Sequence, residues 1–288
     1  MRATYPRRWG HPRRGGFTLI ELLITITIIG ILAGISFGAL NAARRTARTS
    51  KTKSTIVKLD KIIMRRYEEY ATRRVPISTA RISRVQATRA RLDALRDVIR
   101  MEMPERWNDI TVFPVATDPV SGNPIKRPAL TERYLAKYAA NQPSAKFGPA
   151  ECLYMIVATG SAEDREQFNE SEIGDADGDG WLEFQGGWGR PIMFLRWAPE
   201  FTDLSDLQSR EHHDPFDVHG ADLTAYHLVP LIYSGGPDKK YDIELDDGYE
   251  YDGDPYASAA GTPTDDSNNP DGELNHYDNI HNHNIEQR

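Results

Sequence analysis

The sequence predicts an α+β fold in which one long N-terminal helix packs on a small antiparallel sheet, with further helices inserted between them. Three observations carry this prediction. No proline interrupts residues 17–75, apolar residues step by three or four from Ile56 to Tyr70, and beyond Gly180 the apolar runs are short and bounded by Gly, Pro and Asp.

Residues 17–40 (FTLIELLITITIIGILAGISFGAL) form a 24-residue stretch without Lys or Arg, in which Glu21 is the only ionisable side chain. About 20 apolar residues cross a bilayer as a helix, so this half reads as a membrane span. Gly30, Gly34, Gly38 and Ala42 recur at four-residue spacing on one face. Small residues so spaced let helix backbones approach closely in lipid, although glycine is also merely tolerated in membrane helices. Further along, Ile56, Leu59, Ile63, Tyr67 and Tyr70 make one stripe, so the second half reads as amphipathic. The whole helix is expected over residues 17–74, on the order of 85 Å at 1.5 Å per residue.

Pro76 stops that helix. A second amphipathic helix is expected from an N-cap at Ser78 or Thr79 through residue 103, with Ile82, Val85, Leu92, Leu95 and Ile99 inward and Pro104 closing it. Pro114, Pro119, Pro124 and Pro128 punctuate a loop, a helix follows Thr131, and an apolar element covers residues 152–158. Residues 192–197 and 226–233 read as strands. Residues 246–288, dominated by Asp, Gly, Asn, Pro and Ser, read as an acidic, loop-like tail with little to bury.

A carboxylate beside hydrocarbon is costly, which makes Glu21 a functional candidate in need of a partner. Arg13-Arg14-Gly15-Gly16 precede the span, and a cut after Gly16 would create an α-amine on Phe17, one helical turn from Glu21. The run GGFTLIELL, with basic residues before it and an apolar helix after it, resembles the leader and processing site of type IV prepilins and type II secretion pseudopilins. That resemblance implies that Gly16 ends the leader, that a prepilin peptidase cuts before Phe17 and methylates its amine, and that Glu21 serves filament assembly. It further implies a pilin-like fold, a single-pass protein of the inner membrane with its head outside the cytoplasm, and other pilin or pseudopilin subunits as partners. A secretory signal peptide or an ordinary signal anchor is the competing reading, although a signal peptide's apolar region runs only about 7 to 15 residues. Orientation does not follow from charge, since Arg2, Arg7, Arg8, Arg13 and Arg14 precede the span and Arg44, Arg45, Arg48, Lys51, Lys53 and Lys58 follow it. The expected segments are a leader (1–16), a transmembrane assembly helix (17–40), its amphipathic continuation (41–76), an exported head (77–245) and the tail (246–288).

The net charge of −7 conceals a polarity: residues 41–100 hold 17 basic and 5 acidic side chains, and residues 101–288 hold 13 basic and 36 acidic. Attraction between subunits fits this division, as does a solvated basic helix face. A basic run next to a membrane span, with Tyr67 and Tyr70 its only aromatics, does not point to nucleic acid. Cys152, the only cysteine, excludes an intrachain disulfide and reads as a buried small hydrophobe within AECLYMIVA.

Asp175, Asp177, Asp179 and Glu183 fall at positions 1, 3, 5 and 9 of a calcium-type loop, with Gly180 at 6 and the Trp181 carbonyl at 7. Alternating carboxylates around a glycine curl so that hard oxygens converge on a cation. Position 12 is Gly186 rather than a bidentate Glu, so another segment or water must complete the shell, and an Asp-rich turn remains the alternative. A second calcium candidate lies in PLIYSGGPDKKYDIELDD, where Ser234, Asp238, Asp242, Asp246 and Asp247 surround a glycine-rich turn. Together with WGRPI at 188–192, this resembles the sheet and C-terminal loop of the major pseudopilin, and the resemblance puts Ser234 and Asp238 forward as ligands. The departure is Gly186-Gly187, where that pattern has Asp-Pro.

His212, His213, His276, His281 and His283 read as solvated loop histidines. A phosphate loop, a nucleophile elbow, an HExxH site and a CxxC pair are all absent from the sequence, so a structural role is expected rather than an enzyme. A membrane-anchored surface binding module that is not assembled into a filament is the alternative.

Overall fold

The computed structural model describes residues 16–264 and 278–284, and the chain divides into two compact units, Met1–Thr46 and Ala47–Arg288. Helix α1 (Leu19–Glu69) supplies the described regular structure of the first unit. There its apolar side chains are exposed, and the stretch is long and apolar enough to cross a membrane. The hydroxyls of Thr25 and Thr27 donate to the carbonyls of Glu21 and Leu23 at 2.7 and 2.8 Å. These polar groups are therefore satisfied within the helix, as a lipid environment requires. A Cβ built on Gly30, Gly34 or Gly38 would meet nothing within 4 Å, so the small-residue face lies open.

In the second unit α1 buries Thr52, Thr55, Ile56, Leu59, Ile62, Ile63 and Tyr67, and a 3-10 turn (Tyr70–Thr72) buries Tyr70. The stripe expected from the spacing is the face that enters the core. Helix α2 (Arg84–Glu102) starts later than the sequence suggested, because Ser83 and Gln86 form a reciprocal capping box. The Ser78 N–H is taken by the Asp118 carboxylate, and Arg81 adopts a left-handed φ of 66° that no helix accommodates. Val85, expected inward, is exposed, whereas Leu92, Leu95 and Ile99 are buried.

The short helix α3 (Asn108–Thr111) follows, then α4 (Ala129–Ala140), α5 (Gly148–Gly160) and α6 (Ala162–Glu166). The strands are β1 (Ile173–Gly174), β2 (Glu183–Phe184), β3 (Met193–Leu195), β4 (Ser209–His213), β5 (Tyr226–His227), β6 (Leu231–Ser234) and β7 (Ile280–His281). Among the described residues all pairings are antiparallel: β1 with β2, β4 with β5, and a three-stranded sheet in the order β3-β6-β7. Met193 faces Tyr233, and Tyr233 faces His281. Helix α5 packs on β2 and β3, and Leu153 and Ile156 join Ile56, Leu59, Ile63, Leu95, Ile99, Phe184, Phe194 and Ile232 in one core.

Both expected strands are shorter than their apolar runs. The backbone N–H groups of Arg196 and Trp197 are captured by the Glu105 carboxylate at 2.8 and 3.3 Å, which ends β3. Pro230, with no N–H to give a ladder, separates β5 from β6.

The tail differs from the expectation most. Tyr251 and Tyr256 pack against the core, Ala260 is buried, and β7 closes the edge of the central sheet. Asn282 accepts the Ile232 N–H at 2.8 Å and donates to the Pro230 carbonyl and to Asp60 at 2.9 and 2.8 Å. His281 and His283 are buried, not solvated, while His276 lies outside the described residues. A segment polar by composition enters the core because its polar atoms find partners there.

Candidate functional site

The β1–β2 connection is the Asp-rich loop. Gly178 and Gly180 take φ of 80° and 94°, the left-handed backbone that glycine tolerates without strain and that curls the loop. Asp175 accepts the N–H groups of Gly178 and Gly180 at 2.6 and 2.9 Å, and Asp179 accepts those of Trp181 and Ser144 at 2.8 and 2.5 Å. Asp177 accepts from the Ser144 hydroxyl at 2.5 Å, and Glu183 from the Ala176 N–H at 3.0 Å.

Two overlapping groups result. One ligand oxygen from each of Asp175, Asp177 and Glu183 lies within 4.8 Å of the others, and the same holds for Glu151, Asp177 and Asp179. The Trp181 side chain packs edge-on to Trp107 at 4.5 Å, with its indole N–H donating to the Asn141 carbonyl at 2.9 Å. Glu151, on α5, was not anticipated from the sequence. It stands 24 positions before Asp175 inside an apolar helix, and its only local signal is a charged residue in AECLYMIVA.

The electrostatics match five carboxylates gathered in one partly dry place. Burial pushes the Glu151 carboxyl up to about 8, aided by the charges of Asp179, Asp177 and Glu183 and opposed by the Trp107 indole N–H that it accepts at 2.7 Å. Burial also lifts Glu183 to about 7, aided by Asp177, Asp175 and Asp179 and opposed by the Ala176 N–H.

In the second loop, Asp238, Asp242 and Asp278 bring one oxygen each within 4.8 Å of the others. Asp278 arrives from the tail and accepts the Asp238 N–H at 3.2 Å, a proximity that spacing along the chain does not signal. Ser234 is buried at the end of β6, its hydroxyl 3.3 Å from where a Cβ on Gly186 would stand. Asp246 instead accepts from the Ser258 hydroxyl and the Ala259 N–H at 2.9 and 2.8 Å, the role of a turn residue.

At the other end of the chain, Gly16 and Phe17 precede the first turn of α1, and Phe17 is 81% exposed. The expected leader before Gly16 lies outside the described residues. Thr18 and Glu21 form a capping box: the Thr18 N–H and hydroxyl both donate to Glu21 Oε2 at 2.8 Å, and the Glu21 N–H donates to Thr18 Oγ1 at 3.2 Å. The junction after Gly16 is thus non-helical, exposed and next to a well-started helix.

Residues 11–37 match the family model of the prokaryotic N-terminal methylation motif. This is the prepilin-type cleavage and methylation signal of type IV pilins and pseudopilins, and the match is confined to the N-terminal segment. The motif belongs to structural proteins, implies processing by a prepilin peptidase, and with the one membrane-length apolar helix among the described residues fits a membrane anchor. No curated protein and no solved structure matches the chain.

The matched stretch contains Gly16, Phe17 and Glu21 but reaches no residue of the head. The Thr18–Glu21 box has a local signal in the sequence, the T-x-x-E spacing of a helix start. Cys152 is fully buried, and burial holds its thiol well above the ordinary range, which leaves it protonated and inert.

Proposed function

We propose that this chain is the precursor of a structural subunit, a pilin or pseudopilin, of a type IV pilus-like or type II secretion filament. The observation that carries the reading is the methylation motif over residues 11–37, placed where cleavage before Phe17 creates an amine beside the only carboxylate of the span. In the precursor Glu21 is held by Thr18. After cleavage and methylation, Glu21 meets the Phe17 amine of a neighbouring subunit as helices leave the inner membrane and pack together. The open Gly30, Gly34 and Gly38 face suits close helix approach. The head lies outside the cytoplasm, where calcium in the 175–183 loop holds its carboxylates together, with Asp175, Asp177, Asp179, Glu183 and the Trp181 carbonyl as ligands. The Asp238, Asp242 and Asp278 group is a second place for the same ion.

Intact-mass analysis of the protein purified from membranes tests the reading. The mature chain is expected to begin at Phe17 and to carry one added methyl group. A start at a small residue near Ser36 would replace the filament reading with a conventional signal peptide.

A further inference from the structure

The 175–183 loop lacks its twelfth-position carboxylate, because Gly186 stands there. Most carboxylate oxygens of the site are already engaged by N–H or hydroxyl groups of the loop, by Ser144 and by the Trp107 indole. Three are not. Glu151 Oε1, Asp177 Oδ1 and Glu183 Oε1 are buried and have no hydrogen-bond partner among the described residues. Glu151 and Glu183 are each 0% exposed, so water does not solvate them as it would a surface acid.

Unpartnered anionic oxygens are costly in a dry place, and two or three of them converging are costlier still. A hard cation removes both penalties at once. Asp177 belongs to both carboxylate groups, so it links Glu151 and Asp179 to Asp175 and Glu183, and its Oδ1 has no hydrogen-bond partner among the described residues. Calcium accepts six to eight oxygens in irregular geometry, whereas magnesium demands a regular octahedron and keeps its waters. A shell drawn from a helix and a loop suits calcium.

We infer that Glu151, carried in on helix α5, is the ligand this loop lacks in sequence, so that one calcium ion ties α5 to the β1–β2 connection. The inference rests on the reading of the 175–183 loop as a cation site. Its consequence is mechanical. Helix α5 places Leu153, Ile156 and Val157 in the core and packs on β2 and β3, so the ion locks a surface loop to the element beneath the sheet. The Glu151–Trp107 hydrogen bond and the Trp107–Trp181 contact join both tryptophans to the same clamp.

The test uses the full chain in detergent, stripped with chelator and titrated with calcium, and separately with terbium, whose luminescence the two neighbouring tryptophans sensitise. Wild type is expected to melt higher in calcium and to show sensitised terbium emission that calcium displaces. Glu151→Gln keeps an acceptor for the Trp107 indole but removes an ionisable carboxyl from a buried place. It should melt higher than wild type in chelator, lose most of the calcium-dependent rise, and need at least tenfold more calcium for half-displacement of terbium. A residue that merely caps Trp107 predicts the opposite, an unchanged calcium response. If Asp177→Asn abolishes the response while Glu151→Gln keeps it, the loop is a cation site and the Glu151 assignment falls. If wild type responds to neither ion, the cation reading of the loop falls with it.

Discussion

Substitution of Gly187 by alanine probes the contact that seats the sheet connection on α1. A Cβ at this position would stand 2.3, 2.7 and 2.8 Å from the carbonyl oxygen, Cα and carbonyl carbon of Arg48, all helix backbone that cannot rotate away. The segment cannot retreat cheaply either. The Gly187 N–H donates to Thr52 Oγ1 at 2.8 Å, the Gly186 N–H to the Arg190 carbonyl at 3.0 Å, and Gln185 bridges to Pro191. Overpacking of this kind costs about 1–3 kcal/mol, and loss of the Thr52 hydrogen bond adds about 1 kcal/mol. In a domain of 150–250 residues each kcal/mol moves Tm by about 2–4 °C, so a fall of about 6–12 °C is expected for a central estimate of about 3 kcal/mol. Thermal denaturation followed by circular dichroism on the full chain in detergent reads it, with Gly248→Ala as control, since a Cβ there would meet nothing within 4 Å. Equal melting of Gly187→Ala and the control would refute the argument that the Gly186-Gly187 pair exists to let this connection touch α1.

Two further outcomes follow. Glu21→Ala removes the carboxylate that Thr18 holds and that the proposed assembly step pairs with the Phe17 amine, so the variant should be cleaved and inserted normally yet be missing from filaments; wild-type incorporation, measured by shearing and immunoblot, would rule out an assembly role. Burial, opposed by backbone hydrogen bonding to Pro230 and Val229, depresses the His283 imidazole from its ordinary 6.5 to about 4. The fold therefore favours the neutral ring, with Nε2 donating to the Pro230 carbonyl at 3.2 Å and Nδ1 accepting from the Ser205 hydroxyl at 2.7 Å. The unfolded chain takes up the proton first, so this contribution is complete above pH 6.5 and is lost as pH falls toward 4, by about 3 kcal/mol in all. Urea midpoints measured from pH 7 to 4 should fall less steeply for His283→Gln than for wild type, and parallel slopes would exclude His283 as the titrating group.

The sequence by itself determined the parts of this protein whose physics is local. Membrane length, the lone Glu21, the Gly16-Phe17 junction and the Ile56-to-Tyr70 stripe are all set by residues within a few turns of one another, and a helix reports its buried face through spacing alone. The calcium-type spacing of Asp175, Asp177, Asp179 and Glu183 was legible for the same reason: ligands on one loop must be neighbours in the chain. Only the tertiary structure decided the rest. Glu151 and Asp278 join their carboxylate groups from other elements, a proximity that no sequence spacing encodes. The lengths of β3 and β6 turn on the Glu105 carboxylate and on Pro230, not on how apolar the runs are. The tail looked too polar to bury, yet Asn282 and His283 lie inside because Ile232, Asp60, Pro230 and Ser205 satisfy their polar atoms. Composition prices a polar side chain as if it faced water, and that price changes once a distant segment supplies the missing hydrogen bond.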